Sequence, residues 1–139
     1  MTGAAEDAIV REIHVDAAPS DVFPYFAEAE KLAVWKAVTA QARAVPGGTF
    51  RMDVTGRGDV AIGSYVEIDP PHRVVFTWAW DRPDVAVGTQ LVEVEFTEHP
   101  DGTTTVVMTN RGLGDQQSRE SHQEGWEGSF DNLARLVSR

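Results

Sequence analysis

Residues Asp115–Arg139 decide the fold that this sequence predicts. They read Asp-Gln-Gln-Ser-Arg-Glu-Ser-His-Gln-Glu-Gly-Trp-Glu-Gly-Ser-Phe-Asp-Asn-Leu-Ala-Arg-Leu-Val-Ser-Arg. Four apolar residues in this stretch recur at steps of four, three and four, so they form one stripe along a helix. These residues are Trp126, Phe130, Leu133 and Val137. Extending the stripe backwards places His122 and Arg119 on the same face. The stretch therefore predicts an amphipathic helix whose apolar face covers the preceding chain.

Two features refine this predicted helix. Asp115 follows Gly114 and can accept hydrogen bonds from the free N–H groups of the first turn, so the helix should span about residues 115–138. Gly125 and Gly128 each cost roughly 1 kcal/mol relative to Ala inside a helix. Glycine at both positions indicates that the helix approaches another element or a ligand closely.

The chain between residues 37 and 110 consists of short runs of alternating apolar and polar residues, separated by turns that contain Gly or Pro. Such alternation is typical of strands that bury one face. The clearest strand is Arg73–Asp81, in which Phe76, Trp78 and Trp80 share one face. The region predicts about six consecutive antiparallel strands.

The chain before this region adds the remaining elements. Ile9–Asp16 predicts another strand, and residues 17–35 predict two short helices, the first of which Pro24 should shorten or kink. A sheet with one apolar face needs a cover, and the C-terminal helix is the only predicted element long enough to provide it. The predicted fold class is α+β, a curved antiparallel sheet of about six to seven strands gripping a long C-terminal helix.

Composition narrows the possible functions. A chain of 139 residues with 42% hydrophobic and 24% charged residues is expected to form a single domain over residues 8–139, preceded by a disordered tail at residues 1–7. The net charge of −10 argues against nucleic acid and anionic membranes as partners. The absence of cysteine excludes disulfides and thiolate ligands. No signal peptide or membrane-spanning run is visible, so a cytoplasmic location is expected.

Several stretches resemble a known family. They include Arg11-Glu-Ile-His-Val-Asp-Ala-Ala-Pro-Ser-Asp-Val-Phe, the Asp-Pro-Pro-His-Arg-Val-Val-Phe-Thr-Trp run at residues 69–78, and His122-Gln-Glu-Gly-Trp. Together with the order of elements, they resemble the START-like (SRPBCC, helix-grip) superfamily. Within it, they are similar to the C-terminal domain of the activator of the ninety-kilodalton heat-shock protein ATPase. The sequence departs from the family at Lys36, because the family often carries a second Trp after the one that Trp35 matches.

The resemblance implies a cavity between the sheet and the terminal helix, which other members of the superfamily use for lipids, polyketides and other apolar molecules. Bulky rings around a hollow are also typical of an apolar ligand site, although packing in the core would explain most of them. The aromatic residues expected at this site are Trp35, Phe50, Phe76, Trp78, Trp80 and Trp126.

Polar candidates at the same site are fewer. His122 lies one helical turn before Trp126 and could bind or shuttle a proton, or it could be a structural histidine bonded to a strand carbonyl or to Asn110. Tyr65 could orient a polar group of a ligand. Arg119 could hold an anionic group at the mouth of the cavity, or it could be an ordinary surface residue.

Other titratable residues offer weaker indications. Glu67 could be a lone inward carboxylate, which without a partner is weak support for acid–base catalysis. His14, His72 and His99 are expected at the surface, and the histidines show no metal-ligand spacing. No phosphate loop, dinucleotide fingerprint, nucleophile elbow or zinc motif is present, so neither a metal nor a cofactor is expected.

Three hypotheses for the function follow. The first is a module that binds an apolar or aromatic small molecule, which requires a cavity of about 300 Å³ or more. The second is a protein-interaction domain with a closed interior and a possible chaperone ATPase as its partner. The third is a cyclase or hydrolase that acts on a hydrophobic substrate, with His122 as acid or base. Open sheet edges permit either a monomer or a homodimer.

Overall fold

The computed structural model describes residues 8–81, 90–112 and 116–137, and of residues 116–125 it describes the backbone only. The expected tail at residues 1–7, the loop predicted at residues 82–88 and the expected cap at Asp115 lie outside the described residues.

Seven antiparallel strands form one sheet. They are β1 (Ile9–Val15), β2 (Thr39–Ala42), β3 (Thr49–Asp53), β4 (Val60–Asp69), β5 (Arg73–Trp80), β6 (Gln90–Glu98) and β7 (Thr104–Arg111). Their order across the sheet is β1-β7-β6-β5-β4-β3-β2, so β1 and β2 are the edge strands. The predicted strand content is confirmed. Whether the free edges pair in a homodimer stays a prediction.

Three short helices connect the first two strands. They are α1 (Pro19–Val22), α2 (Pro24–Ala27) and α3 (Ala29–Trp35). Pro24 has no N–H group to continue the first helix, so α1 ends at Val22, with Phe23 as its C-cap, and α2 begins at Pro24. Glu28 is extended, with φ −101° and ψ 129°, and it turns the chain into α3. The predicted interruption at Pro24 is therefore confirmed.

The C-terminal helix α4 (Gln116–Val137) lies on the apolar face of the sheet, which we call the inner face. Three residues of its predicted stripe are buried, since Trp126 is 3% exposed and Phe130 and Leu133 are fully buried, and Val137 is partly buried. The inner face presents buried residues such as Val94 of β6 and Met108 of β7. Among the described residues, no helix is both long and apolar enough to cross a membrane.

Gly63 creates a gap in the inner face. It pairs with Phe50 across β3 and β4. A Cβ atom at Gly63 would collide with the Thr77 carbonyl oxygen and lie 2.6 Å from the Phe50 ring. The ring of Phe50 therefore reaches across the glycine to that of Trp78, with 5.9 Å between the ring centroids.

Gly128 does not behave as the sequence predicts. A Cβ atom there would meet nothing within 4 Å, so the expected close approach is wrong for this residue. The reason is that Gly128 lies on the exposed side of α4, between the buried Trp126 and Phe130. The surroundings of Gly125 lie outside the described residues.

Replacing Gly63 or Gly128 by alanine should have opposite effects on the free energy of unfolding. Gly63→Ala should lower the free energy of unfolding by about 1–3 kcal/mol, because the added methyl group forces the Phe50 ring and the backbone apart. Gly128→Ala should raise it by up to about 1 kcal/mol, because alanine favours the helix at an open position. Urea unfolding followed by circular dichroism measures both. A Gly63→Ala protein as stable as the wild type would contradict the proposed packing.

Candidate functional site

The inner face and α4 enclose a small apolar space, which we call the inner hollow. Its volume is about 10 Å³. That volume suits about one water molecule, whereas small-molecule sites usually measure about 300–1,000 Å³. The lining residues come from the short helices, the sheet and α4: Phe26, Leu32, Trp35, Lys36, Phe50, Met52, Tyr65, Phe76, Trp78 and Trp126. The hollow that the described residues enclose is therefore smaller than the expected cavity.

The residues predicted to contact a ligand fall into separate places. Most of the aromatic ones line the hollow. Trp80 lies at its margin, where its ring meets that of Trp78 edge-on at 5.7 Å. Asn110 is fully buried on the inner face of β7 but does not line the hollow. The side chains of Arg119 and His122 lie outside the described residues.

Aromatic rings surround the hollow in a continuous series of contacts. Trp126 of α4 packs on Trp78 of β5 with 5.5 Å between centroids, and on Phe130 at 5.8 Å. Phe130 in turn contacts Trp35 at 5.9 Å, and Trp35 contacts Phe26 at 5.0 Å. Tilted and edge-on contacts of this kind are the favoured geometry for aromatic pairs. The rings thus join α4 to the sheet and to the short helices at a single site.

Two of the lining residues already use their polar atoms. The Trp35 Nε1–H donates to the carbonyl oxygen of Tyr25 at 2.7 Å. The Tyr65 hydroxyl donates to the carbonyl oxygen of Phe26 at 3.1 Å, and burial raises the pKa of Tyr65 to about 12. Tyr65 therefore stays neutral and anchors α2 to the sheet, while its hydroxyl oxygen retains capacity to accept a hydrogen bond.

The sequence analysis did not select four of the lining residues, and Lys36 is the charged one among them; the others are Phe26, Leu32 and Met52. Lys36 directly follows α3, and its Nζ lies 3.8 Å above the centre of the Trp126 ring and 5.2 Å from that of Trp78. The same Nζ donates to the Ser129 hydroxyl at 3.3 Å. The residue as a whole keeps a minor exposed surface, but its ammonium end lies among the rings. Burial lowers the pKa of Lys36 to about 7.

A signal for Lys36 was present in the sequence. Lysine replaces the second Trp that the family often carries after the position of Trp35, which places a charge where an aromatic ring is usual. Spacing alone could not reveal the contact, because Lys36 and Trp126 are far apart in sequence and meet only when α4 folds over α3.

The predicted inward position of Glu67 is wrong. The register between β4 and β5 shifts between Tyr65 and Glu67, where β4 carries a bulge. The extra residue reverses the alternation, so Glu67 faces outward, is exposed, and accepts a hydrogen bond from Arg73 at 3.3 Å. It is therefore no candidate for chemistry in the hollow.

Some buried polar atoms on the inner face have no partner among the described residues, and one of them lies in the lining of the hollow. The Trp78 Nε1–H, and both side-chain polar atoms of Asn110, are buried with no hydrogen-bond partner among the described residues. Such atoms are uncommon in folded proteins, and each one needs a water, a ligand or another explanation. In the described part of the chain, no group of three or more His, Asp or Glu side chains is arranged to hold a metal.

A curved antiparallel sheet that closes around a C-terminal helix defines the helix-grip fold of the START-like superfamily. The family model described as activator of Hsp90 ATPase homolog 1-like protein matches residues 16–138. The chain therefore belongs to this family. No curated protein matches it in a sequence search.

Solved structures show the same fold at low sequence identity. Protein MLL2253 from Mesorhizobium loti superposes with a TM-score of 0.84 at 19% identity, over 94% of this chain and 96% of that one. The Aha1 dimer from Colwellia psychrerythraea gives 0.81 at 16% identity, over 94% and 96%. PFC0360w, an HSP90 activator from Plasmodium falciparum, gives 0.78 at 19% identity, over 94% and 95%.

The buried amine predicts a pH dependence of stability. The pKa of Lys36 is about 7 in the folded chain, against 10.5 for a free side chain. Between these values the unfolded chain binds more protons, so the free energy of unfolding should rise as the pH increases from 7 to 9. Lys36→Met should remove this rise and add about 1–3 kcal/mol at pH 7, because an apolar group replaces a poorly solvated charge.

Urea unfolding at several pH values between 7 and 9 checks this expectation. Lys31→Met is the matched control, because Lys31 also lies over an aromatic ring, that of Tyr25 at 4.8 Å, but does not line the hollow. The control should keep the wild-type slope. An equal slope in Lys36→Met and wild type would show that Lys36 is well solvated.

Proposed function

We propose that this protein binds an apolar small molecule between the inner face of the sheet and α4. The observation that carries the proposal is an apolar hollow ringed by aromatic side chains, together with polar groups that have no partner among the described residues: the Trp78 Nε1–H in its lining and the buried Asn110 amide elsewhere on the inner face. A core selected for stability alone has no use for such groups, because a buried polar atom without a partner costs about 1–3 kcal/mol.

Binding requires the hollow to expand. Among the described residues, α4 makes few polar contacts with the rest of the chain: the hydrogen bond from Lys36 to Ser129, at 3.3 Å, and the ion pair of Arg11 with Asp131, at 3.9 Å. Both contacts are long. The remaining contacts are apolar and have no directional requirement, so α4 can shift outward while the sheet keeps its hydrogen bonds. In the expanded form, the ligand would contact the aromatic rings that contact one another in the closed form.

A second candidate function is supported by the closed interior. A protein-interaction domain needs no cavity, and a hollow of about 10 Å³ suits that role. HSP90 activators are among the proteins that share this fold. Under this alternative the protein would stimulate a purified Hsp90 ATPase and would bind no apolar probe.

The third hypothesis, a cyclase or hydrolase, depended on His122 as acid or base. That side chain lies outside the described residues. Of the titratable groups in the described lining, Lys36 and Tyr65, neither has an acidic partner there.

Nile red tests the proposed function, because this neutral dye emits strongly only when it leaves water. We expect a saturable rise in emission with wild-type protein, since an expanded hollow would surround the dye with aromatic rings. Met52→Gln should weaken the affinity at least fivefold, because it places an amide in the apolar lining.

Met108→Gln is the matched control. Met52 and Met108 are both buried on the inner face, but only Met52 lines the hollow, so the control should lose stability and keep the affinity. Circular dichroism confirms that both variants are folded. Emission that never saturates with the wild type would contradict the proposed function. An equal loss of affinity in both variants would show that the dye does not bind in the hollow.

A further inference from the structure

We infer that the molecule bound in the inner hollow carries a carboxylate, which Lys36 holds at the junction of α3 and α4. The inference rests on the proposed function and names the class of ligand. It follows from counting donors and acceptors around the hollow, from the position of the Lys36 amine, and from the charge of the chain.

The hollow has a surplus of hydrogen-bond donors. The Nε1–H of Trp35 and the hydroxyl of Tyr65 each donate to a backbone carbonyl oxygen. Trp78 Nε1–H remains without an acceptor among the described residues. The Lys36 ammonium has three N–H donors, and the described residues provide one acceptor for them, the Ser129 hydroxyl at 3.3 Å. A ligand that satisfies the lining must therefore bring acceptors rather than donors.

The position of Lys36 adds a charge to this surplus. Among the described residues its Nζ has no carboxylate within ion-pair distance, and its contacts are the faces of Trp126 and Trp78. Contacts of this kind contribute about 0.5–2 kcal/mol, which offsets only part of the cost of removing an ammonium group from water. A carboxylate in the hollow would supply the missing counter-charge and accept hydrogen bonds from both Lys36 and Trp78.

The burial of the Lys36 amine also supports a carboxylate as its partner. The pKa of Lys36 is lowered to about 7 by desolvation, with no described charge contributing. The other titratable group of the described lining, Tyr65, has a pKa of about 12 and stays neutral. Near neutral pH the free protein therefore holds a partly deprotonated amine. A bound carboxylate would favour the protonated form, so binding above pH 7 takes up a proton.

The acidity of the chain explains why a local cation is needed. The net charge of −10 repels anions at long range. On the outer face, Arg73 is not free to hold a ligand carboxylate, because it already pairs with Glu93 at 2.8 Å and with Glu67 at 3.3 Å. In the lining of the hollow, Lys36 is the only cationic side chain that the described residues contribute.

Two pairs of compounds test this inference by isothermal titration calorimetry at about 0.15 M salt, where long-range repulsion is screened. Decanoate is compared with decanol, and naphthylacetate with naphthylethanol, so that each pair differs only in its polar end. We expect the acid of at least one pair to bind at least tenfold more tightly than its alcohol. In wild type at pH 8, buffers of different ionisation enthalpy should report the uptake of nearly one proton for each acid bound.

Lys36→Met should abolish both the preference for the acid and the proton uptake. Lys31→Met, which removes a lysine of α3 that lies outside the hollow, should preserve both. Acid and alcohol binding with equal affinity would overturn this inference and leave the proposed function standing. A preference that survives Lys36→Met would also overturn it. If neither member of either pair binds, the inference and the proposed function both fail.

Discussion

The burial of one helical stripe against one sheet face determines the structure. Trp126, Phe130 and Leu133 remove their side chains from water only if α4 lies on the inner face, and the inner face has no other cover of comparable length among the described elements. Complete burial of such a side chain contributes about 1.5–3 kcal/mol. The same packing brings Trp126 onto Trp78 and encloses the amine of Lys36 between helix and sheet. Fold and candidate site thus arise from a single contact surface.

The site combines features that oppose each other energetically. Its rings pack closely and leave a hollow of about 10 Å³, which favours a closed, stable core. Its buried amine, and the buried polar atoms that have no partner among the described residues, destabilise the same core. Destabilising polar groups of this kind are common at functional sites, because binding or catalysis requires them even though they lower the stability of the fold. The polar groups are expected to find their partners when a ligand enters and α4 shifts outward.

The sequence predicted the fold well because its signals are local. The period-two alternation of β5 and the stripe of α4 are visible within single stretches, and Pro24 interrupts the first helix where its missing N–H requires. The site was harder to predict because its key contacts join distant residues. Lys36 reaches Trp126 only through the packing of α3 against α4. Glu67 faces outward because of a bulge in β4. The alternation of apolar and polar residues does not reveal a bulge of one residue.

The most direct test of the account is an NMR titration of the four tryptophan indole N–H groups with decanoate. The account predicts that the resonances of Trp78 and Trp126 move together and saturate at one equivalent of ligand, because both rings line the hollow beneath α4. Indole resonances that stay in place while decanoate binds would contradict it, because the ligand would then occupy a surface elsewhere on the molecule.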